Sequence, residues 1–503
     1  MKLPSLFGLL GRAKTSFKAR YDAAGNGRRM RGWKATSTGP NQATQGLQTI
    51  RDRTRDSVRN DWLSSAGLQR WVTNLVGTGI VTRCNKRIAK TRRDKIERVW
   101  NDWMKRSDAD GVLSFYGLQA LATRSWLESG EVFVRLRFRD DTFDLEVPLQ
   151  LQLIEADFIP TFDSDSWPGM PPGNKIRQGI ELDRRGQRVA YWAYREHPGD
   201  FRTAVSTTSN LIRVLADEML HIFEPKRPGQ LRGVPDFAPV LSRIRNTIDY
   251  DDGVMERMKL SNLFAGFIKK PAPSGYTDDI DPLTGQAIDY DRDGSPMVGL
   301  EPGLMQELLP GEEIQWSNPP EAGTTYSEYM RTQHVGTTAG QHVPYEVVTG
   351  DIYNISDRTL RITIQEFRRH AEQRQWTILI PQFVEKVRDS FADAAILSGA
   401  LSIREGADAK DVTHTPQGWA YIHPTQDAQA EQMLIEAGLS SRSAAIAKRG
   451  DDPETIDQER ADDAAREQSL GLPATNQPKN PAVSSGQQST APQDPTQGDT
   501  QNG

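Results

Sequence analysis

The chain is 503 residues long, 36% hydrophobic and 26% charged, with a net charge of −5, enough apolar content for several domains with real cores. Its single cysteine, Cys84, excludes an internal disulfide framework and every multi-cysteine metal site, and fits a reducing compartment. No window reaches the roughly eighteen apolar residues of a membrane-spanning helix.

The N-terminal stretch "MKLPSLFGLLGRAKTSFKAR" has a short apolar run interrupted by Pro4 and ended by Arg12, with no small-residue cleavage pattern. Residues 1–56 therefore read as a basic, flexible arm rather than a signal peptide. Residues 1–110 hold 24 Lys/Arg against 9 Asp/Glu, while the remainder holds 38 against 58. Such polarity predicts two surfaces, the basic one suited to nucleic acid or an acidic neighbour. Arg28, Arg29 and Arg31 beside Trp33 offer charge and stacking for the first of these.

From residue 57 the pattern is helical: Val58, Trp62, Leu68, Trp71, Val72 and Leu75 recur near helix spacing over 57–76, and the glycines of "VGTGI" stop the helix. Helices follow near 92–105 and 114–128, with Trp100, Trp103, Leu118, Leu121 and Leu127 as candidate core. At Glu131 the period changes to two. "EVFVRLRFR" and "VPLQLQLIEA" read as half-buried strands, and "IRQGIELDRRGQRVAYWAYRE" as a hairpin turning at Asp183 to Gly186. "LIRVL" and "MLHIF" add two more strands, which makes the first half a helix-flanked β region in an α+β chain.

The segment "HIFEPKRPGQLRGVPDF" follows. A phosphate cradle needs successive glycines, whereas Gly229 and Gly233 stand apart here. Pro225, Pro228 and Pro235 fix φ, so the segment reads as a stiff corner. Beyond it, helical spacing returns over 236–266 and again near 325–339. These two helices flank a Pro/Gly/Asp-rich excursion at 271–322 with strand-like pieces at "MVGL" and "EEIQW". A loop over "VPYEVVTGDIYNIS" leads to a helix from Asp357 to about Leu397, which Pro381 should kink or split. A last helical piece, "PTQDAQAEQMLIEAGLSSRSAAIAKRG", ends at Gly450. From 470 the chain is too poor in apolar residues to fold alone.

Catalytic motifs are absent: there is no P-loop, no H-E-x-x-H and no G-x-S-x-G. "DYDRDGSPMVGLE" places Asp289, Asp291, Asp293 and Gly294 as a calcium loop begins, but the twelfth position is Leu300 and Pro296 interrupts it. An Asp-rich solvated turn is the preferred reading, and neither a metal nor a cofactor is expected.

The stretches "GEVFVRLRF", "VPLQLQLIEADFI", "GIELDRRGQRVAYW" with "HPGD" after it, "HIFEPKRPGQLRGVP", "LMQELLPGEEIQWSNPP", "VPYEVVTGD" and "MLIEAGLSSRSAAIAKRGDD" resemble the lambda-type family of tailed-phage portal proteins. They stand in the family's order and span roughly 57–450. The resemblance implies a portal fold: an arm at 1–56, a wing at 57–235, a first stem helix at 236–270 and a clip lobe at 271–322. A second stem helix follows at 323–342, then a tunnel loop at 343–357, a long kinked helix at 358–399, helical crown at 400–469 and a disordered tail at 470–503.

It also implies a non-enzymatic, homo-oligomeric ring, expected to be a dodecamer, at one vertex of a phage head assembled in the host cytoplasm. Double-stranded DNA would be packaged and ejected through it, with the large terminase subunit, a head-tail connector, and capsid and scaffold proteins as partners. The tunnel loop would present Thr349, Gly350, Asp351, Tyr353, Asn354 and Ser356 to the channel, with Arg358 and Arg361 placed for phosphate contacts. Pro225, Pro228, Gly233 and Pro235 would form the wing-to-stem corner. The sequence departs from the family at "TTAGQH", in place of an apolar Ala/Gly-rich turn, and at "NISDRTL", in place of a Tyr-Ser-Ser-type run.

Two other readings are compatible with the residues. One is a metal-dependent DNA-processing enzyme using the carboxylates at Asp278, Asp279, Asp281, Asp289, Asp291 and Asp293. The other is a DNA-binding head protein that forms no ring and relies on its basic arm.

Overall fold

The computed structural model describes residues 38–41, 46–200, 210–263, 267–269, 306–308, 324–353, 355–419 and 423–472. Helix α1 (Leu47–Asn60) begins inside the segment expected to be a flexible arm, and buries Leu47, Arg51, Thr54 and Val58 at helical spacing. Two of those four are polar, so the buried face carries no apolar signal. The single helix expected over 57–76 is broken at Asp61, whose backbone is extended and whose carboxylate accepts the Ser64 N–H to start α2 (Trp62–Leu75). The break also corrects the core: Trp62 is 57% exposed, its ring edge on His334.

Strand β1 (Val81–Cys84) is followed by α3 (Lys90–Met104) and α4 (Phe115–Ser129). Trp100, Trp103, Leu118 and Leu127 are buried as expected, but Leu121 faces outward. Next come β2 (Glu131–Phe138), β3 (Leu149–Ile154), β4 (Lys175–Arg177), β5 (Ile180–Leu182), β6 (Arg188–Tyr194), β7 (Leu211–Leu215) and β8 (Met219–Phe223). They form two antiparallel sheets, ordered β3-β2-β8 and β4-β5-β6-β7. The sheets share a small core of Phe133, Ile154, Ile180, Tyr191, Val214 and Met219. The β5–β6 turn forms as expected, with the Asp183 carboxylate accepting the N–H groups of Arg185 and Gln187.

Helices α5 (Leu241–Leu263) and α6 (Thr324–Gly340) pair in antiparallel register: Val240 faces Gly340, Arg243 faces Gly336, and Asp251 accepts the Tyr326 hydroxyl. A Cβ at Gly340 would stand 2.3 Å from Val240 Cγ1, so glycine sets how closely the two helices approach there. Between them, β9 (Phe267–Lys269) and β10 (Gln306–Leu308) pair in parallel. Apart from β10 the 271–322 lobe, with its strand-like pieces and Asp289, Asp291 and Asp293, lies outside the described residues.

The expected loop at 343–357 contains a helix of five residues, α7 (Tyr345–Thr349), closed by Gly350 at φ 72°. Helix α8 (Asp357–Arg374) then continues without a break through a π-helical stretch, Gln375–Val384, into α9 (Glu385–Leu397). Pro381 lies inside the π stretch. It has no N–H to give to an α-helical ladder, and of the expected kink or split the split does not occur, because the wider π turns absorb the proline. Phe383 and Phe391 pack from this helix against Phe115, Trp100 and Trp103, which makes it the spine of the main core.

Helix α10 (Ile403–Lys410) and β11 (Val412–Thr415) come next. The helix buries Ala409 and packs on α9, and β11 pairs antiparallel with β1. Helices α11 (Pro424–Glu436), α12 (Arg442–Lys448) and α13 (Pro453–Ser469) follow, and Glu454 at the start of α13 bonds Arg93 of α3 at 2.8 Å. The single helix expected to end at Gly450 is interrupted at Gly438, whose φ of 72° ends α11. Residues 473–503, most of the expected tail, lie outside the described residues.

Candidate nucleic-acid interface

The segment from α6 to α8 is built on a tight turn. Trp71 Nε1 donates to the backbone oxygen of Gln341 at 2.9 Å, His342 takes φ 60°, and Val343 N donates back to Thr338. This turn is the "TTAGQH" departure. The Gln341 side chain fills the space beside Gly67, where a Cβ would stand 2.4 Å from Gln341 Oε1. Both polar ends of that carboxamide are buried without a partner.

After α7 the chain is organised around Asp351. Its Oδ1 accepts the Tyr353 N–H at 3.1 Å, and its Oδ2 accepts the Tyr345 hydroxyl at 3.2 Å. Arg331 Nε stands 3.5 Å from the same Oδ2, with its guanidinium over the Tyr345 ring. Asp351 is the one charge among the six residues expected to face the channel, and the structure gives that charge a cation. The outermost groups are Ile352 and Tyr353, 62% and 76% exposed. Thr349 Oγ1 is turned inward onto the Tyr345 carbonyl, and Ser356 caps α8 by accepting the Thr359 N–H. Asn354 lies outside the described residues. Arg358 is exposed, whereas Arg361 is half-buried and pairs with Asp357 at 3.6 Å. Arg331 and Tyr345 were missed because a partner twenty residues upstream on another helix leaves no local pattern.

Several backbone donors of the Pro-rich corner are turned onto side chains. Gly233 N donates to Glu131 Oε2 at 2.8 Å, and Gln230 Oε1 accepts the N–H groups of Lys226 and Arg227. Gly130 and Gly233 cross backbone to backbone: a Cβ on Gly233 would meet the Gly130 carbonyl oxygen at 2.0 Å. Pro225, Pro228 and Pro235 therefore stiffen a segment already fastened by close packing.

Beneath the corner lies a fully buried charge cluster. Glu131 Oε1 accepts Arg51 and, at 2.7 Å, Arg232, while its Oε2 contacts His221 Nε2 at 2.8 Å. Burial alone would raise Glu131, but Arg232, Arg51 and His221 hold it well below the usual carboxylate range. Burial pushes His221 down to about 4 against the pull of Glu131. A neutral His221 accepting from Arg188 at Nδ1 and donating to Glu131 at Nε2 satisfies both contacts. Nearby, Arg374 bonds Glu224 at 2.8 Å and approaches Asp236 Oδ2 to 2.7 Å, close enough for an ion pair but not aligned as a hydrogen bond. Arg374 thereby ties the segment after β8 to the long helix.

One metal-like grouping exists among the described residues: Glu155, Asp157 and His197, with ligand atoms within 4.8 Å of one another. Arg55 bonds Asp157 and stands 3.2 Å from Glu155, so a guanidinium already occupies the place of a cation.

Residues 26–375 match the family described as "Phage portal protein, lambda family". The chain is 24% identical to the probable portal protein of Halomonas phage phiHAP-1 over 440 residues, covering 85% of this chain and 82% of that protein. It is 21% identical to the portal protein of Escherichia phage N15 over 513 residues, covering 94% and 95%. Portal protein B of Escherichia phage lambda is 20% identical over 510 residues, covering 93% and 94%. Among solved structures, the neck of a native gene transfer agent particle aligns with a TM-score of 0.42 and 12% identity, over 86% of this chain and 94% of that one.

Proposed function

The chain belongs to the lambda family of phage portal proteins, structural components of the capsid vertex, and we propose that it forms a dodecameric ring through which double-stranded DNA is packaged and ejected. The wing is the two-sheet region, α5 and α6 are the stem, and residues 271–322 are the clip on which the terminase and the head-tail connector dock. The 343–357 segment lines the channel.

The observation that carries this reading of the loop is its neutral tip. With Asp351 held by Arg331, the loop offers Ile352 and Tyr353 to whatever passes. A duplex is held in proportion to the phosphates that Lys and Arg neutralise, so an uncharged tip lets it slide. Arg358, exposed one turn further on, is the cation nearest in sequence for a transient phosphate contact.

Negative-stain electron microscopy of the purified chain, with a solution mass on the same sample, tests the ring. Annular particles and a mass about an order of magnitude above the 56.3 kDa chain are expected, since closed rings come from one repeated head-to-tail contact. A monodisperse monomer or dimer across several buffers would overturn the proposal.

A further inference from the structure

Arg135 and Arg137 on β2, and Arg139 one residue past its end, stand at alternate positions on the face of the β3-β2-β8 sheet that also carries Phe133. At Phe133, Ile154 and Met219 that face is covered by the β4–β7 sheet. Further along, the arginines stand half-buried instead of covered. Arg137 donates to Gln152 Oε1 at 2.8 and 2.6 Å, and Arg139 to Gln150 Oε1 at 2.8 Å, both neutral acceptors. Arg135 makes no hydrogen bond or ion pair among the described residues, and its Nε is buried without a partner. Burial and the flanking Arg135 and Arg139 all lower the pKa of Arg137.

Several other buried or half-buried charges of the molecule are ion-paired. Glu131, Asp157, Glu181 and Asp411 each have an arginine, and Arg51, Arg55, Arg213 and Arg232 each have a carboxylate. Three guanidiniums at alternate positions along one sheet face, two held by amides and none in an ion pair among the described residues, form a row of anion donors whose nearest acids are Glu218 beside Arg137 and Asp140 beside Arg139. Alternate strand positions repeat every ~6.8 Å, the pitch at which an extended peptide presents every second side chain. A duplex suits the row less well, because Asp140, Asp144 and Glu146 lie in the β2–β3 connection and Glu218 in the turn before β8. A polyanion with a charge every ~1.7 Å would meet those carboxylates, whereas a narrow strand with acids on one side would not.

We propose that the Arg135, Arg137 and Arg139 row is a docking surface for an extended acidic segment of a partner protein, with carboxylates on alternate residues. Carboxylate and guanidinium form charge-assisted, bidentate pairs, and three in register fix both the direction and the position of the segment.

The test uses the full chain and a fluorescein-labelled eight-residue peptide of alternating Glu and Thr, followed by anisotropy. Saturable binding is expected, with affinity reduced at least ten-fold in the triple variant Arg135→Gln, Arg137→Gln, Arg139→Gln, and less than two-fold in Arg184→Gln on the β5–β6 turn. Should the triple variant lose its circular dichroism signal, Arg139→Gln alone, expected to weaken binding about three-fold, replaces it. No saturable binding, or binding indifferent to these arginines, overturns the proposal. A 30-base-pair duplex binding more tightly than the peptide and losing affinity in the same variants would assign the row to nucleic acid instead.

Discussion

Arg331 on α6 and Asp351 beyond α7 face each other at 3.5 Å, which fastens the exposed loop tip to the second of the two paired helices. Both groups are half-exposed, so the pair contributes little to global stability, under ~1 kcal/mol. Its effect is local. In Asp351→Asn, hydrogen exchange at amides 351–353 should rise several-fold while the unfolding midpoint stays within experimental error. The freed Arg331 should also strengthen duplex retention and steepen its salt dependence; unchanged retention would show that Asp351 does not set the charge of this tip.

Glu131 is the counter-charge of Arg51 and Arg232, all three fully buried. Removing one member of a buried pair strands the others, at a cost of ~3–5 kcal/mol. Glu131→Gln should therefore show a large drop in urea midpoint, whereas Glu155→Gln, an exposed acid nearby, should shift it little.

The same cluster fixes a pH dependence. A neutral buried His221, with its pKa lowered to about 4, leaves the unfolded chain binding the extra proton between the ordinary histidine value and 4. Stability is then fully present above that ordinary value and falls as pH drops through the window. His414, lowered to about 4 chiefly by burial, acts in the same direction. From the ordinary carboxylate value downward, the unfolded chain takes up a proton that folded Glu131 refuses, which adds a further loss. Denaturant melts across pH 7 to 4 should show this decline, and His414→Asn should flatten it. A stability that rises on acidification would contradict the assignment of both histidines.

Gly233 admits no side chain, since a Cβ would lie 2.0 Å from the Gly130 carbonyl oxygen. Backbone cannot retreat there without breaking the Gly233 N–H bond to Glu131. Gly233→Ala should cost at least ~2 kcal/mol, as strain at a packed site does, while Gly253→Ala, with open space around it on α5, should be neutral or stabilising by ~1 kcal/mol.

Strands and helices with an apolar period were legible: β2, β3, the β5–β6 hairpin, α3 and α4 all announce themselves within ten or fifteen residues. What escaped is what the period does not encode. The buried face of α1 is half polar because Arg51 has a partner on β2, and α7 is too short to establish a repeat. The π stretch answers a proline by local widening, a response that composition does not reveal. Asp351 was visible as a loop residue, but its neutralisation by Arg331 depends on how α6 returns to the body. The β1–β11 pairing was invisible for the same reason, since each strand is only four residues long and its partner is far away.

That pairing has a consequence for how the chain is made. Val81 meets Thr415 and Cys84 meets Val412, so the first strand waits at the ribosome while more than three hundred residues are synthesised. Such distant closure is slow compared with local folding. Meanwhile the half-finished body holds Arg388 without the Ala409 carbonyl that accepts its Nε, and Cys84 without the neighbour strand that covers it. Nascent chains stalled before residue 409 should be protease-sensitive throughout α3 and β1, and chains released at 450 should resist. The body of the subunit is thus closed only once its last third has been made.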